Sequence, residues 1–134
     1  MTQTFFLNAT IIDCTQTEPR SGNVLIENGR IVDTNASSST QVSGQTIYLR
    51  GATLMPVLID CHVHVVASTM DLTANAQLPD ALAMLRSLPI MKGMLERGFT
   101  TVRDVGGAPY SLAQGIEEGH IVAPRLVVCG KALS

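Results

Sequence analysis

The sequence predicts a mixed α/β protein in which an all-β first part precedes alternating strands and helices. Residues 1–56 consist of short apolar and β-branched runs separated by turns and one polar loop. After Pro56, apolar strand-like runs alternate with segments of helical spacing, and this alternation predicts parallel strands joined by crossover helices. The strand-like runs lack polar alternation, as is typical of parallel sheets covered on both faces. We therefore predict two parts, residues 1–56 and residues 57–134.

The first part carries the signals of several short strands. The run "TFFLNATIID" is followed by "VLIENGRIV", whose Asn28-Gly29 pair can supply the two positive φ angles of a type I′ turn. This pair therefore predicts a β-hairpin. Residues 34–46 are a polar loop rich in serine and threonine, and "TIYLRGATLMP" then predicts one more short strand and a glycine turn.

The second part is predicted to run strand, helix, strand, helix, strand. The three strands are "VLIDCHVHVV", "FTTVRDVGG" and "RLVVCGKAL". The segment "PYSLAQGIEEG" is a short helix that Pro109 opens and Gly119 closes. Residues 67–78, which follow the first of these strands, are predicted to be a loop.

A longer helix is predicted over residues 79–97, with Pro79 at its start and Gly98 after its end. Pro89 lacks an N–H group and is expected to break or kink this helix. Helical spacing predicts that one face carries four apolar side chains, namely Ala81, Leu82, Leu85 and Leu88. Three methionines at helix-like spacing are expected to pack in the core, namely Met84, Met91 and Met94.

Composition excludes several classes of partner. The net charge is -2 and no run is rich in lysine or arginine, so the sequence does not predict nucleic-acid binding. No apolar run reaches the ~18 residues that span a bilayer, and the first residues do not resemble a signal peptide. The 3 cysteines are widely spaced, which argues against a disulfide framework and favours a reducing, cytoplasmic location. Self-association into a homo-oligomer stays open.

Two of the 3 histidines, His62 and His64, lie two residues apart in a predicted strand. Strand alternation places Asp60, His62 and His64 on one face, and Cys61 and Val63 on the other. The two imidazoles, with Cα atoms about 6–7 Å apart, can converge on one cation such as zinc. Asp60 could then bond a histidine N–H behind the metal. The alternative, two core histidines with satisfied hydrogen bonds, stays open on this pattern alone.

The sequence offers three further polar residues whose roles it specifies less closely than those of the histidine pair. Asp104, at the end of the second predicted strand, could face a metal cavity or position a substrate. The structural interpretation is favoured, in which it caps the next helix or pairs with Arg103. His120 follows a helix end and is expected at the surface, and Lys131 is expected near solvent or substrate.

The stretch "GATLMPVLIDCHVH", residues 51–64, resembles the entrance to the barrel of the metal-dependent amidohydrolase superfamily. In that family an N-terminal β segment precedes a Pro-Gly-Leu-Ile-Asp-x-His-x-His signature. "GFTTVRDVGG" and "PRLVVCGKALS" are similar to the second and third barrel strands. The words "TTVRDVGG" and "GKALS" are most similar to the prolidase-like dipeptidase branch, which is close to imidazolonepropionase-like enzymes.

The resemblance implies a fold and a chemistry. Residues 1–56 would be an incomplete small β-sandwich, and residues 57–134 the first three strands of a (β/α)8 TIM-type barrel. His62 and His64 would bind one of one or two divalent metal ions, commonly zinc (Zn). The implied activity is hydrolysis of an amide C–N bond by metal-activated water, with a dipeptide or Xaa-Pro-like substrate. The alternatives are a cyclic-amide hydrolase of imidazolonepropionase type and a truncated, non-catalytic protein.

The resemblance also indicates what this stretch lacks. The bridging lysine, the later histidines and the catalytic aspartate of the family match positions downstream, so no catalytic residue is expected within these residues. The 134-residue stretch alone is therefore expected to be inactive. Val57 stands where the family usually has glycine, and it would be strained if its φ angle were positive.

Overall fold

The computed structural model describes residues 2–131, apart from the side chain of Leu72. The chain divides after Pro56 into two compact units. Unit 1 denotes residues 2–56, and unit 2 denotes residues 57–131. Helices and parallel strands occur together, which confirms the predicted mixed α/β class.

Unit 1 is a five-stranded sheet. Its strands are β1 (Gln3–Ile11), β2 (Arg20–Glu27), β3 (Arg30–Asp33), β4 (Gln45–Tyr48) and β5 (Thr53–Leu54). Strand β1 pairs antiparallel with β2 and parallel with both β4 and β5, and β3 extends the sheet beyond β2. Apolar side chains of β1 and β2 form its core, namely Ala9, Ile11 and Val24.

The predicted hairpin in unit 1 is confirmed. Strands β2 and β3 pair antiparallel, with Glu27 opposite Arg30. Between them Asn28 has a φ angle of 50° and Gly29 one of 76°. Two consecutive positive φ angles give the turn the twist that the flanking strands require.

Unit 2 alternates strands and helices as predicted, with one additional helix. Its elements are β6 (Leu58–Val63), α1 (Leu72–Ala76), α2 (Asp80–Glu96), β7 (Phe99–Asp104), α3 (Tyr110–Glu117) and β8 (Arg125–Val128). The three strands form a parallel sheet in the order β6-β7-β8. Pro109 precedes α3, and Gly119, with a φ angle of 78°, follows it, as the sequence predicted.

Helix α1 lies in residues that were predicted to form a loop. It has only five residues and no apolar periodicity, so its main sequence signal is Asp71. The Asp71 carboxylate accepts a hydrogen bond from the Ala74 N–H at 2.9 Å and thereby caps the first turn.

Helix α2 differs from two predictions. It runs unbroken through Pro89, so the predicted break does not occur, and Pro89 lies on the exposed side of the helix together with Leu85. The carbonyl of Leu85 loses its usual donor there, and solvent can replace that donor. The predicted apolar face is wrong as well, because Ala81, Leu82 and Leu85 are exposed and only Leu88 packs against the core.

The face of α2 that packs is the one that carries the methionines. Met91 is fully buried, and Met84 and Met94 are partly buried against the core, which confirms their predicted role. Ser87 lies on the same face, where its hydroxyl donates to the Met84 carbonyl at 2.7 Å. The sheet, the turn after β6 and α3 supply the opposing side chains, among them Val63, Val65, Val102, Leu126 and Leu112.

The possible strain at Val57 does not arise. The non-glycine residues with a positive φ angle among residues 2–131 are Asn8, Cys14, Asn28 and Arg50. Val57 is not one of them, so a β-branched side chain is compatible with the backbone at that position. Within the described residues, no helix has both the length and the apolar character needed to cross a membrane.

Candidate metal centre

The structure brings the two predicted ligands together at the end of β6. The ring centroids of His62 and His64 are 5.7 Å apart, with the ring planes inclined by 76°. Both side chains are exposed, whereas the alternate residues Val63 and Val65 are buried in the core. The two imidazoles therefore point away from the core, where a ligand can reach them.

A bulge in β6 separates Asp60 from the histidine pair in the strand register. Asp60 pairs with Val102 and Val63 pairs with Asp104, so Cys61 and His62 together occupy the space opposite a single residue of β7. The bulge interrupts the simple alternation from which Asp60 was predicted to share the histidine face.

The Asp60 carboxylate also has a different partner from the predicted one. It accepts a hydrogen bond from the backbone N–H of His62 at 3.0 Å. This bond shapes the bulge and fixes the backbone of one candidate ligand. Asp60 therefore contacts this candidate ligand through its backbone.

The His64 imidazole is oriented by the loop between β7 and α3. Its Nδ1 atom lies 3.2 Å from the carbonyl oxygen of Gly106. A carbonyl oxygen can only accept a hydrogen bond, so Nδ1 donates in this contact, and in the neutral ring Nε2 then keeps a lone pair. A backbone carbonyl behind a histidine ligand is a common way to set its tautomer.

Asp104 is a buried residue that organises this loop. Its side chain is 0% exposed, and its Oδ2 atom accepts from the Val65 N–H at 2.7 Å. Its Oδ1 atom accepts from the Gly106 N–H at 3.0 Å and the Ala108 N–H at 3.1 Å. Asp104 thus holds the loop before α3 but does not cap that helix, whose N-cap residue Pro109 has no side-chain cap hydrogen bond, so the predicted helix cap is wrong. The alternative pairing with Arg103 is absent from the ion pairs formed among residues 2–131.

A cavity of about 570 Å³ adjoins His64. Apart from His64, its walls are mostly small and apolar, with polar groups from Asn75, Asp80 and Lys131. The Lys131 ammonium donates to both carboxylate oxygens of Asp80, at 2.8 and 3.0 Å. His120 does not line the cavity. Its ring is exposed, as predicted, and its Nε2 atom lies 3.3 Å from the Glu118 carboxylate.

Asn75 is the cavity residue that sequence reasoning missed. Its Nδ2 group donates to the Val66 carbonyl at 3.0 Å, and its Oδ1 accepts from the Ser68 N–H at 3.0 Å. These bonds attach α1 to the segment after His64. An isolated asparagine in a polar segment carries no periodic signal, so only the tertiary contact reveals this role.

The donor set fits part of a metal site. Two imidazoles on exposed positions two residues apart suit a borderline divalent cation such as zinc. Within the part of the chain that the structure describes, no group of three or more His, Cys, Asp or Glu side chains is arranged to hold a metal ion. The described residues therefore supply at most two ligands of a larger set.

The sequence matches the amidohydrolase family over residues 53–134, and the chain belongs to that family. The relatives confirm the prolidase-like branch that the sequence motifs predicted. A solved prolidase, in complex with N-methylphosphonate-L-proline, is 44% identical with a TM-score of 0.90, and the match covers 99% of this chain and 33% of that one.

Two further relatives are similar to this chain. A Xaa-Pro dipeptidase with bound methionine is 26% identical with a TM-score of 0.80, covering 99% of this chain and 34% of that one. Ochratoxinase from Aspergillus niger is 33% identical over 84 residues, which are 60% of this chain and 18% of that enzyme. The chain thus spans about a third or less of the length of these relatives.

Proposed function

We propose that the chain is part of a metal-dependent hydrolase that cleaves amide C–N bonds in dipeptides of the Xaa-Pro type. The observation that carries this proposal is the position of His62 and His64, side by side at the end of β6, where His64 lines a cavity. The two relatives named as a prolidase and a Xaa-Pro dipeptidase support the substrate class.

The proposed architecture follows from the parallel sheet of unit 2. Strands β6, β7 and β8 would be the first three of the eight strands of a TIM-type barrel, and unit 1 would be part of a small β-sandwich. Active sites of such barrels lie at the carboxyl ends of the strands. His64 follows the last residue of β6, and the loop that contacts its ring follows β7, so both belong to that end.

The proposed roles of the residues follow from their contacts. His62 and His64 would hold a divalent cation, with zinc favoured because neutral imidazole is a good zinc ligand. His64 would bind through Nε2, because its Nδ1–H is engaged by Gly106. A bound divalent metal supplies Lewis-acid activation of water and of the amide carbonyl. Asp60 would support His62 through the hydrogen bond to its backbone N–H, and Asp104 would support His64 through the N–H of the next residue, Val65.

The number of ligands predicts what residues 1–134 do by themselves. Catalytic zinc sites usually have three protein ligands and an open position for water. The described residues offer two imidazoles and no cluster of three donors. We therefore expect this stretch to bind metal weakly, to lose it on dialysis, and not to hydrolyse dipeptides.

Metal titration of the chain tests the proposal. Zinc binding would be measured by calorimetry for the wild type, for His62→Ala and His64→Ala, and for the control His120→Ala. We expect a loss of affinity of at least about tenfold for each of the first two variants and no change for the control, because His120 is remote from the cavity. Equal affinity of all four proteins would refute the assignment.

A second measurement tests the substrate and the incomplete ligand set. The zinc-loaded chain would be incubated with a Xaa-Pro dipeptide, and release of free proline would be followed. We expect none from residues 1–134 alone. Zinc-dependent release that disappears in His64→Ala would support the substrate class and disprove the expected inactivity.

A further inference from the structure

We propose that Asp104 is a positioning residue for His64, because its carboxylate holds the backbone on both sides of the imidazole. This inference rests on the proposed metal centre. It concerns the orientation and tautomer of the ring, which exist with or without a metal. Asp104 itself touches neither the ring nor the cavity, and it acts only through the groups to which it is hydrogen-bonded.

The burial of Asp104 calls for a specific purpose. A carboxylate that is 0% exposed is unfavourable unless hydrogen bonds or a countercharge compensate it. None of the ion pairs found within residues 2–131 includes Asp104. Its compensation comes from the three backbone N–H groups of Val65, Gly106 and Ala108.

The three bonds form two arms that meet at His64. On one arm, Asp104 Oδ2 binds the N–H of Val65, the residue that follows His64 in the chain. On the other arm, Asp104 Oδ1 binds the N–H groups of Gly106 and Ala108. The Gly106 carbonyl then accepts the hydrogen bond from His64 Nδ1 at 3.2 Å. The peptide after His64 and the acceptor of its ring proton are therefore attached to one rigid carboxylate.

The arrangement is specific to one of the two histidines. The backbone N–H of His62 is held instead by Asp60, which has no bond to the loop after β7. A change at Asp104 should therefore alter His64 and leave His62 nearly unchanged. A general loosening of unit 2 would affect both rings.

The matched substitution is Asp104→Asn. The amide keeps the shape of the carboxylate and one accepting oxygen, but its NH2 group cannot accept from an N–H. Facing three N–H donors, the asparagine can satisfy only one arm. The control is Asp71→Asn, which alters a carboxylate that also accepts from a backbone N–H but does not contact the loop at Gly106.

NMR of the ring nitrogens in the metal-free chain gives the main readout. In the wild type, at a pH where the imidazole is neutral, we expect the proton of His64 to be on Nδ1. In Asp104→Asn, we expect a mixture of the two tautomers at His64, with unchanged His62 signals. Asp71→Asn should match the wild type. Zinc affinity should fall about tenfold in Asp104→Asn and stay constant in Asp71→Asn.

The outcomes separate this inference from the proposed function. If the wild type binds no zinc, the metal centre is wrong, and the tautomer of His64 still tests the role of Asp104. If zinc binds through both histidines but His64 keeps its tautomer and its affinity in a folded Asp104→Asn variant, the positioning role is refuted. Should that variant not fold, the wild type remains informative. Fast amide exchange at Val65, or an Nε2–H form of His64, would then overturn the inference.

Discussion

Replacing Asp104 by alanine should strongly destabilise unit 2. The substitution leaves three N–H donors without their acceptor: those of Val65 and Ala108 are buried, and that of Gly106 is part-buried. Each unsatisfied buried donor costs about 1–3 kcal/mol, so the two buried donors give a gross loss of about 2–6 kcal/mol. Water can satisfy the part-buried donor and can enter part of the vacated space. We therefore expect the free energy of unfolding to fall by about 2–5 kcal/mol.

Urea denaturation followed by far-ultraviolet circular dichroism measures this loss. The signal reports unit 2, because the helices of the described residues all lie there. The control is Asp80→Ala, which removes an ion pair whose side chains are 68% and 62% exposed. We expect that control to lose less than about 1 kcal/mol. A loss of under about 1 kcal/mol in Asp104→Ala would show that its three hydrogen bonds do not stabilise the fold as argued.

Three further predictions concern the core, a turn and a surface carboxylate. Met91→Ala should cost about 2–5 kcal/mol in urea denaturation, because its side chain is 0% exposed, whereas Leu85→Ala, at 62% exposure, should change stability by less than about 0.5 kcal/mol. Equal losses would contradict the packing of α2. Gly29→Ala should cost about 1–2 kcal/mol, since its φ angle is 76° while no neighbour obstructs a Cβ atom, and unchanged thermal stability would argue against that turn. Hydrogen bonds from the Thr15 hydroxyl and backbone N–H, and then from Arg20, lower the pKa of Asp13 from 3.8 to about 2. The ionised Asp13 side chain therefore stabilises the fold above its ordinary pKa, and this stabilisation is lost as the pH falls towards 2. In Asp13→Asn the stability of unit 1, followed by NMR, should vary less with pH over that range.

Sequence reasoning succeeded where the signal lies within a few neighbouring residues. Asn28-Gly29 predicts its hairpin because the turn needs positive φ angles that these two residues adopt readily. Pro109 and Gly119 mark the ends of α3 for similar local reasons. The His-x-His spacing likewise predicts that His62 and His64 lie close together, and their ring centroids are 5.7 Å apart.

Alternation and helical periodicity failed where distant parts of the chain set the geometry. The bulge that interrupts alternation after Asp60 depends on the register between β6 and β7, which are separated by two helices. The buried face of α2 depends on which side meets the sheet, and leucines and methionines on both sides leave the sequence pattern ambiguous.

The sequence by itself determined the α/β class, the hairpin, the family and the two histidines, because each depends on residue types at short fixed spacings. The tertiary structure alone brought the Asp104 carboxylate to the backbone of Val65 and attached Asn75 to the segment after His64. These contacts bridge up to 39 residues of sequence. A hydrogen bond of that kind is specified by the packing of the strands and loops, and no local pattern of residue types encodes it.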